Sequence, residues 1–485
     1  MDINEIIKLV ADKDRQIGEL TQELRAQRIL TEKLQVQLEN LLRILYGKKS
    51  EKKPLEPAAS NEPNKKELGE KSIGKPIRKS LPKTLERKII KYELPESERI
   101  CSLCGNICHC IGKETSEQLE FIPEKLFVKE HQRYKYGYKN GCEIKIASMP
   151  CQPIPKGIPG PGLLAEILIN KYQDALPLYR QSLRFKRHNI EISDSTMCDW
   201  VSQVAKLLKP LVGLMHSDLI EVNKIHTDDT PVPVLSKGKT KKGFLWVYVA
   251  DGSQGHACTV YDYSSSRSQT APQKFLTGFG GYLQADAYPG YDKLYASGKV
   301  IEVGCMAHTR RKFFEVAELA KGDSLATEAL DKVGEIYEIE TQCRNMHYQQ
   351  RYYYRKKHLR PLYRLFHRWL MRMKNKVIPN TPIEKAINYA LNHWRALQNV
   401  FADGRLEVDN NKAECAIRPV VVGRKNYLFA GSDQGGYNAA IIYSIIESAK
   451  QNKLNTFKYL SEIIARIPVT KAEDLRKLLP YHYPT

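Results

Sequence analysis

Two β-prone stretches of this chain each run into an acid. Lys224 to Val234 passes through Asp228 and Asp229, and Gly281 to Tyr288 reaches Asp286. Much later, Asn411-Lys412-Ala413-Glu414 has the N-x-x-E spacing of a helix start, with Arg418 one turn on and Arg424-Lys425 beyond, so Glu414 is an acid among cations. Taken alone, the last stretch reads as an ordinary capping box, with Asn411 as N-cap and Glu414 closing it. Taken with the two strands it reads as the third member of a set. A phosphoryl-transfer site with two Mg²⁺ ions needs three or so carboxylates converging on metals about 3.5–4 Å apart. That demand constrains the fold, because distant stretches of chain must meet at one point.

The residues between 220 and 318 read as strand, strand, strand, helix, strand, helix, strand, helix. Lys224 to Asp228, Phe244 to Val249 and Cys258 to Tyr263 are the first three strands; Ala271 to Thr277 suits a helix, Tyr282 to Asp286 a fourth strand and Val300 to Cys305 a fifth. This order fits an α/β ribonuclease-H-like core with a mixed five-stranded sheet, in which both aspartates share one edge and a later helix brings the third acid. Adjacent side chains of a strand point to opposite faces, so only one of Asp228 and Asp229 reaches the metals. Trp246 is expected in the core.

The passage Val408 to Gly431 carries Asp409-Asn410-Asn411, Ala413-Glu414, Ile417-Arg418-Pro419, Gly423-Arg424-Lys425-Asn426 and Leu428-Phe429, followed by Gly431-Ser432. In kind and spacing it resembles the C-terminal signature of bacterial insertion-sequence-66 family transposases, DDE-type enzymes. Cys415 stands where that family usually has arginine. The resemblance selects Asp228 over Asp229, since Thr227-Asp228-Asp229-Thr230-Pro231-Val232 is similar to the family's A-D-E-T-P-V. It implies Asp228, Asp286 and Glu414 as catalytic residues holding two Mg²⁺ or Mn²⁺ ions. In Gln284-Ala285-Asp286-Ala287-Tyr288, Ala287 replaces the family's glycine, and a positive φ there would strain the turn. Cys305 and His308, three apart and followed by Arg310-Arg311-Lys312, repeat another family element; a C-x-x-H can bind metal, but without a second pair it is read as an ordering device, with His308 orienting a phosphate or a carboxylate.

A length of 485 residues calls for three or four units, and 76 Lys and Arg against 55 Asp and Glu give a net charge of +21. A nucleic acid is the expected partner. With no run of 18 apolar residues and no signal-like start, the protein is expected in the cytoplasm, with the nucleoid. Residues 1–46 carry heptads, with Val10, Ile17, Leu24, Thr31, Leu38 and Leu45 on one seam and Ile6, Lys13, Leu20, Gln27, Leu34 and Leu41 on the other; despite the three polar interruptions the pattern predicts an imperfect coiled-coil helix and a homo-oligomer. Residues 47–90 read as a basic disordered linker. Of the 11 cysteines, six fall between Cys101 and Cys151. Cys101 and Cys104 form half of a zinc ribbon within a domain at 91–158; Cys142 is the surviving cysteine of a damaged second half. Either a rearranged Zn²⁺ site using Cys108, His109, Cys110 or Cys151, or a small β domain without metal, accounts for them.

Three helix-like segments at about 163–171, 175–187 and 194–208 form a region (159–219) with helix-turn-helix character, Ser193 capping the last. The catalytic unit is expected over 220–430 and a helical C-terminal region over 431–485. A helical insertion at about 320–400 separates the second acid from the third. From Thr341 to Lys376 it holds eleven Lys or Arg and no acid, interleaved with Tyr352, Tyr353, Tyr354, Phe366 and Trp369, as a path for phosphate backbones would be. Arg310, Arg311, Lys312, Arg355, Lys356, Arg360, Arg364, Arg418, Arg424 and Lys425 are the candidate DNA contacts. The expected activity is cleavage at transposon ends and transfer of 3′-OH ends into target DNA, with terminal repeats, target DNA and accessory proteins of the same element as partners. A structure-selective nuclease of the same fold and an inactive end-binding protein are the alternatives.

Overall fold

The computed structural model describes residues 126–130, 135–137, 144–146, 151–155, 157–236, 239–253, 255–320 and 324–484. The coiled-coil helix, the basic linker and the cysteines Cys101, Cys104 and Cys142 lie outside the described residues, as do Cys108, His109 and Cys110. Residues 126–146 belong to one compact unit, in which β1 (Lys135–Gly137) pairs antiparallel with β2 (Ile144–Ile146). Everything from Pro150 onward belongs to the other.

In the larger unit a five-stranded sheet has the order β5-β4-β3-β6-β7. Its strands are β3 (Lys224–Ser236), β4 (Lys239–Asp251), β5 (Ala257–Ser264), β6 (Gly281–Gln284) and β7 (Val300–Val303). β3, β4 and β5 form an antiparallel meander, while β6 and β7 are parallel to β3. The sheet is therefore mixed and carries β3 at its centre. Pro231 and Pro233 are tolerated in this strand because they share the direction of Leu235, whose N–H points away from β4 to the carbonyl of Ala430 at 2.8 Å. Trp246 is fully buried, its indole N–H donating to Ser264 Oγ at 2.8 Å, and so belongs to the core as expected.

Helices cover the sheet: α1 (Pro161–Tyr172), α2 (Leu178–Lys186) and α3 (Asp194–Ile220) before it, and α4 (Thr270–Phe275) and α5 (Asp292–Ala296) within it. Ser193 Oγ accepts the N–H of Thr196 at 3.1 Å, so the predicted cap is present, though the helix continues well past 208. Residues of α1, α2 and α3 share one hydrophobic cluster with the sheet and with α13 (Asp433–Gln451) and α14 (Thr456–Arg466). The free edge of β5 is covered by α13, whose Ser444 and Ser448 hydroxyls accept the N–H groups of Tyr261 and Thr259 at 2.8 and 2.9 Å.

Between β7 and residue 408 runs a helical insertion with its own core. It comprises α6 (Met306–Ala320), α7 (Leu325–Cys343), α8 (Tyr348–Tyr354), α9 (Arg360–Lys374), α10 (Pro382–Asn392) and α11 (Trp394–Gln398). In α9 the apolar residues Tyr363, Phe366, Leu370 and Met373 recur at three- and four-residue spacing and are buried. Phe366 and Trp369 are therefore core residues and are not available to stack on bases.

The expectation that Arg355 touches DNA is overturned. A single π-turn (Arg355–Leu359) joins α8 to α9, and Arg355 is only 1% exposed. Its Nε donates to Glu340 at 2.9 Å and Nη1 to the Leu406 carbonyl at 2.7 Å, while Nη2 makes a further bond to Glu340. The π-turn rotates this one cation of the basic run inward, where a buried carboxylate holds it. Truncating one partner of such a pair leaves the other charged and dry, at a cost of about 3–5 kcal/mol. Arg355→Ala is therefore expected to lower the urea midpoint of unfolding by that equivalent, and Glu340→Gln by a comparable amount, measured by tryptophan fluorescence.

Candidate active site

β3 and β6 lie side by side with His226 opposite Gln284, and each strand delivers an aspartate two residues further on: Asp228 from β3 and Asp286 just past the end of β6. The period of a strand puts both carboxylates in the same relation to the sheet. Ala287, where a positive φ would have strained the turn, is not among the residues with positive φ.

Glu414 arrives on α12 (Asn411–Tyr427), on its first turn. The N-cap residue is Asn410, whose side chain makes no cap bond, so the capping box expected on Asn411 and Glu414 is corrected. Asn410 is instead fully buried and ties three elements together. Its Nδ2 donates to the carbonyl of Thr227 at 2.8 Å, its Oδ1 faces His226 Nδ1 at 3.3 Å, and its backbone N–H donates to Cys305 Sγ at 3.2 Å. Gln284 does the same from β6, with Nε2 donating to the carbonyls of Glu407 and Asp409 at 2.6 and 3.0 Å and Oε1 accepting from Glu407 N at 3.2 Å. The far end of α12 is fixed too, since Ala430 N donates to Pro233 O at 2.8 Å. Helix and central strand are thus joined on both sides of Glu414.

The three acids lie near enough to act on one another electrostatically. Asp228 is pushed up to about 7 by burial first, and then by the negative charge of Asp286, with Glu414 adding to it. Asp286 Oδ1 and Glu414 Oε1 are buried without a hydrogen-bond partner among the protein groups. Near Glu414 stand His308 Nδ1 and Arg311 Nη2, each 3.7 Å from a carboxylate oxygen. Buried oxygens without donors, on acids whose charges act on one another, are what a hard divalent cation binds, so the residues fit such an ion.

Asp229 has a different task. Its carboxylate takes the Arg267 guanidinium in a fork, with Nε at 3.0 and 3.1 Å and Nη2 at 2.7 Å, and Arg267 lies 4.1 Å over the Tyr288 ring. It braces the loop after β5. Behind the site lies a further charge cluster that the sequence reading missed. Lys224 Nζ donates to Asp251 at 2.6 Å and to the Arg405 carbonyl at 2.7 Å; Lys412 reaches both Asp251 and Glu407. Burial first, and then Lys224 and Lys412, push His226 down to about 3, so its imidazole is neutral. A lysine and a histidine inside a strand otherwise buried were the available signal for it.

Of the candidate DNA contacts, Arg311, Lys312, Lys356, Arg360, Arg364, Arg418 and Lys425 are exposed and Arg310 is partly so. Arg424 is half-committed, because its Nη1 donates to Thr230 Oγ1 at 2.8 Å and to the Pro231 carbonyl. Cys415 is exposed. No helix among the described residues is long and apolar enough to cross a membrane.

The chain matches three family descriptions in succession. Residues 98–142 match "zinc-finger binding domain of transposase IS66", residues 156–438 match "Transposase IS66 family", and residues 444–481 match "IS66 C-terminal element". The first match spans Cys101, Cys104 and Cys142 and suggests zinc there; the second implies use of a divalent metal. Among proteins of Sinorhizobium fredii, "Uncharacterized protein y4hP" is 32% identical over 96% of this chain and 88% of its own length. "Uncharacterized protein y4jD" is 33% identical over 83% of this chain and 81% of its own.

The raised Asp228 carboxyl has a consequence for stability. Its proton is held more tightly in the folded state (about 7) than in the unfolded chain (3.8), so the metal-free protein loses stability as pH rises between the two values and bears the full cost above them. Each tenfold in proton affinity corresponds to about 1.4 kcal/mol. With a chelator present, Asp228→Asn is expected to raise the Tm at pH 8, with the gain disappearing toward pH 4. Scanning calorimetry at both pH values checks it.

Proposed function

This chain belongs to the insertion-sequence-66 (IS66) family of transposases, and from that premise we propose that it cleaves DNA at transposon ends and joins the 3′-OH ends to target DNA. The observation that carries the reading is that Asp228, Asp286 and Glu414 come from two neighbouring strands and a helix and act on one another, with one oxygen of Asp286 and one of Glu414 buried and satisfied by no protein donor. The strand order β5-β4-β3-β6-β7, antiparallel on one side of β3 and parallel on the other, supports a ribonuclease-H-like catalytic domain over 220–430.

Asp228, Asp286 and Glu414 would hold two divalent ions. Such ions, when bound, lower the pKa of the attacking water or 3′-OH and stabilise the leaving oxygen. In each step a new P–O bond forms as the old one breaks, and the nucleophile's proton leaves to solvent. The protein's own part is positioning: the strands and α12 keep the acids in register, and Arg311 turns an exposed guanidinium toward the place where a phosphate would come. The exposed stripe Arg360, Arg364, Arg368 and Arg372 repeats every four residues along α9, a rise of about 6 Å, and supports an electrostatic track for a phosphate backbone. We assign DNA contact to Arg310, Lys312, Arg418 and Lys425 on the same charge argument, self-association to residues 1–46, and helix-turn-helix character to 159–219, where Arg180, Lys186, Arg187 and His188 are exposed. On the same reading we assign the protein to the cytoplasm, with the nucleoid.

Two experiments test the proposal. With DNA carrying the element's terminal repeats and Mg²⁺, Asp228→Asn, Asp286→Asn and Glu414→Gln should each reduce cleavage and joining to background while retaining DNA binding. Joining that survives any of them sinks the reading, and cutting without joining identifies a nuclease instead. In the second, replacing Lys356, Arg360 and Arg364 by alanine should weaken binding to every duplex alike. Each lost phosphate contact removes about 0.9 from the slope of log K against log salt, so three should lower its magnitude by roughly 2.7, with discrimination between repeat and random DNA unchanged.

A further inference from the structure

His308 stands beside the carboxylates with its Nδ1 buried and without a hydrogen-bond partner among the protein groups, 3.7 Å from Glu414 Oε1, itself buried and unpartnered. A pair of acceptors at that separation makes no hydrogen bond. Two atoms that each lie about 2.0–2.2 Å from one metal ion can be at most about 4.4 Å apart, and 3.7 Å falls within that limit. Cys305 Sγ completes a group whose ligand atoms all lie within 4.8 Å of one another. Its sulfur, however, already accepts the Asn410 N–H.

We propose that His308 Nδ1 is a direct ligand of the divalent ion held by Glu414, so that one of the two metal positions is a mixed nitrogen and oxygen site. This inference rests on the reading of Asp228, Asp286 and Glu414 as metal-holding carboxylates and goes beyond it. A nitrogen ligand shifts preference away from Mg²⁺ and toward first-row transition ions, so Mn²⁺ should bind the protein more tightly than Mg²⁺ by a margin that depends on His308. Cys305 acts from behind, holding the start of α12 next to the imidazole.

Pulsed electron paramagnetic resonance of the full chain loaded with Mn²⁺ tests this without relying on turnover. Wild-type protein should show the ¹⁴N modulation of a coordinated imidazole, and labelling with ¹⁵N-histidine should replace it with the ¹⁵N pattern. His308→Gln should abolish the modulation and weaken Mn²⁺ at least about tenfold while changing Mg²⁺ less. Mn²⁺ that binds in a manner sensitive to Glu414→Gln but shows no nitrogen coupling would overturn the inference and leave the carboxylate reading intact. Coupling that persists in His308→Gln would overturn it as well, by assigning the nitrogen to another histidine. Absence of Mn²⁺ binding in the wild type would remove the carboxylate reading together with it. Where His308→Gln folds poorly, His308→Asn serves as the second variant, and persistence of the coupling in it overturns the inference in the same way.

Discussion

Two side-chain amides hold the third acid against the sheet, and the arrangement of the site depends on them. Gln284, from β6, grips the backbone of Glu407 and Asp409, and Asn410 grips Thr227 on β3. Both are fully buried, where an amide without partners would be costly and an amide with all its partners is rigid. The segment they hold, 407–410, leads straight into α12. Met306 N–H donates to the Val408 carbonyl at 2.9 Å and adds a third tether from α6. Asp228, Asp286, His308 and Glu414 thus come from four elements, all fastened to one short stretch of backbone.

Electrostatics divides the same region into two layers. At the rim, burial first and then the charges of Asp286 and Glu414 raise the proton affinity of Asp228, an arrangement suited to binding cations. Beneath them, Lys224 and Lys412 neutralise Asp251 and Glu407, so the deeper acids are satisfied by the protein itself. Asp229, one residue from Asp228, belongs to the satisfied class through Arg267. Adjacent positions on one strand therefore carry carboxylates in opposite states, because the pleat sends one to the rim and the other to a guanidinium.

The strands were legible in the sequence because alternating and apolar runs were bounded by turn residues, and Asp228, Asp229 and Asp286 stood out because acids inside such runs need a reason; Glu414, on a helix start that alone reads as a cap, and the choice of Asp228 over Asp229 came from the family resemblance. Ser193 as a cap and Trp246 as core were legible on the same grounds. Arg355 was not: in a run of eleven cations nothing local marks the one that turns inward, since its partner Glu340 lies a helix away and the π-turn that rotates it has no sequence signature. The role of Asn410 was hidden for a related reason. An asparagine next to a helix start looks like a cap, and only the position of β3 reveals that its side chain points elsewhere.

The clamp at 407–410 also separates geometry from chain length. More than a hundred residues intervene between Asp286 and Glu414, yet the polypeptide between them does not set their spacing; cross-chain bonds from β3, β6 and α6 do. The helices between β7 and residue 408 pack around a core of their own, built on Phe313, Tyr363, Phe366 and Trp394. The outer helices of that insert, α7 to α11, are thus free to exchange their outer surface between relatives, as a removable cartridge would, while α6 and the tethers at 407–410 keep the carboxylates in their places.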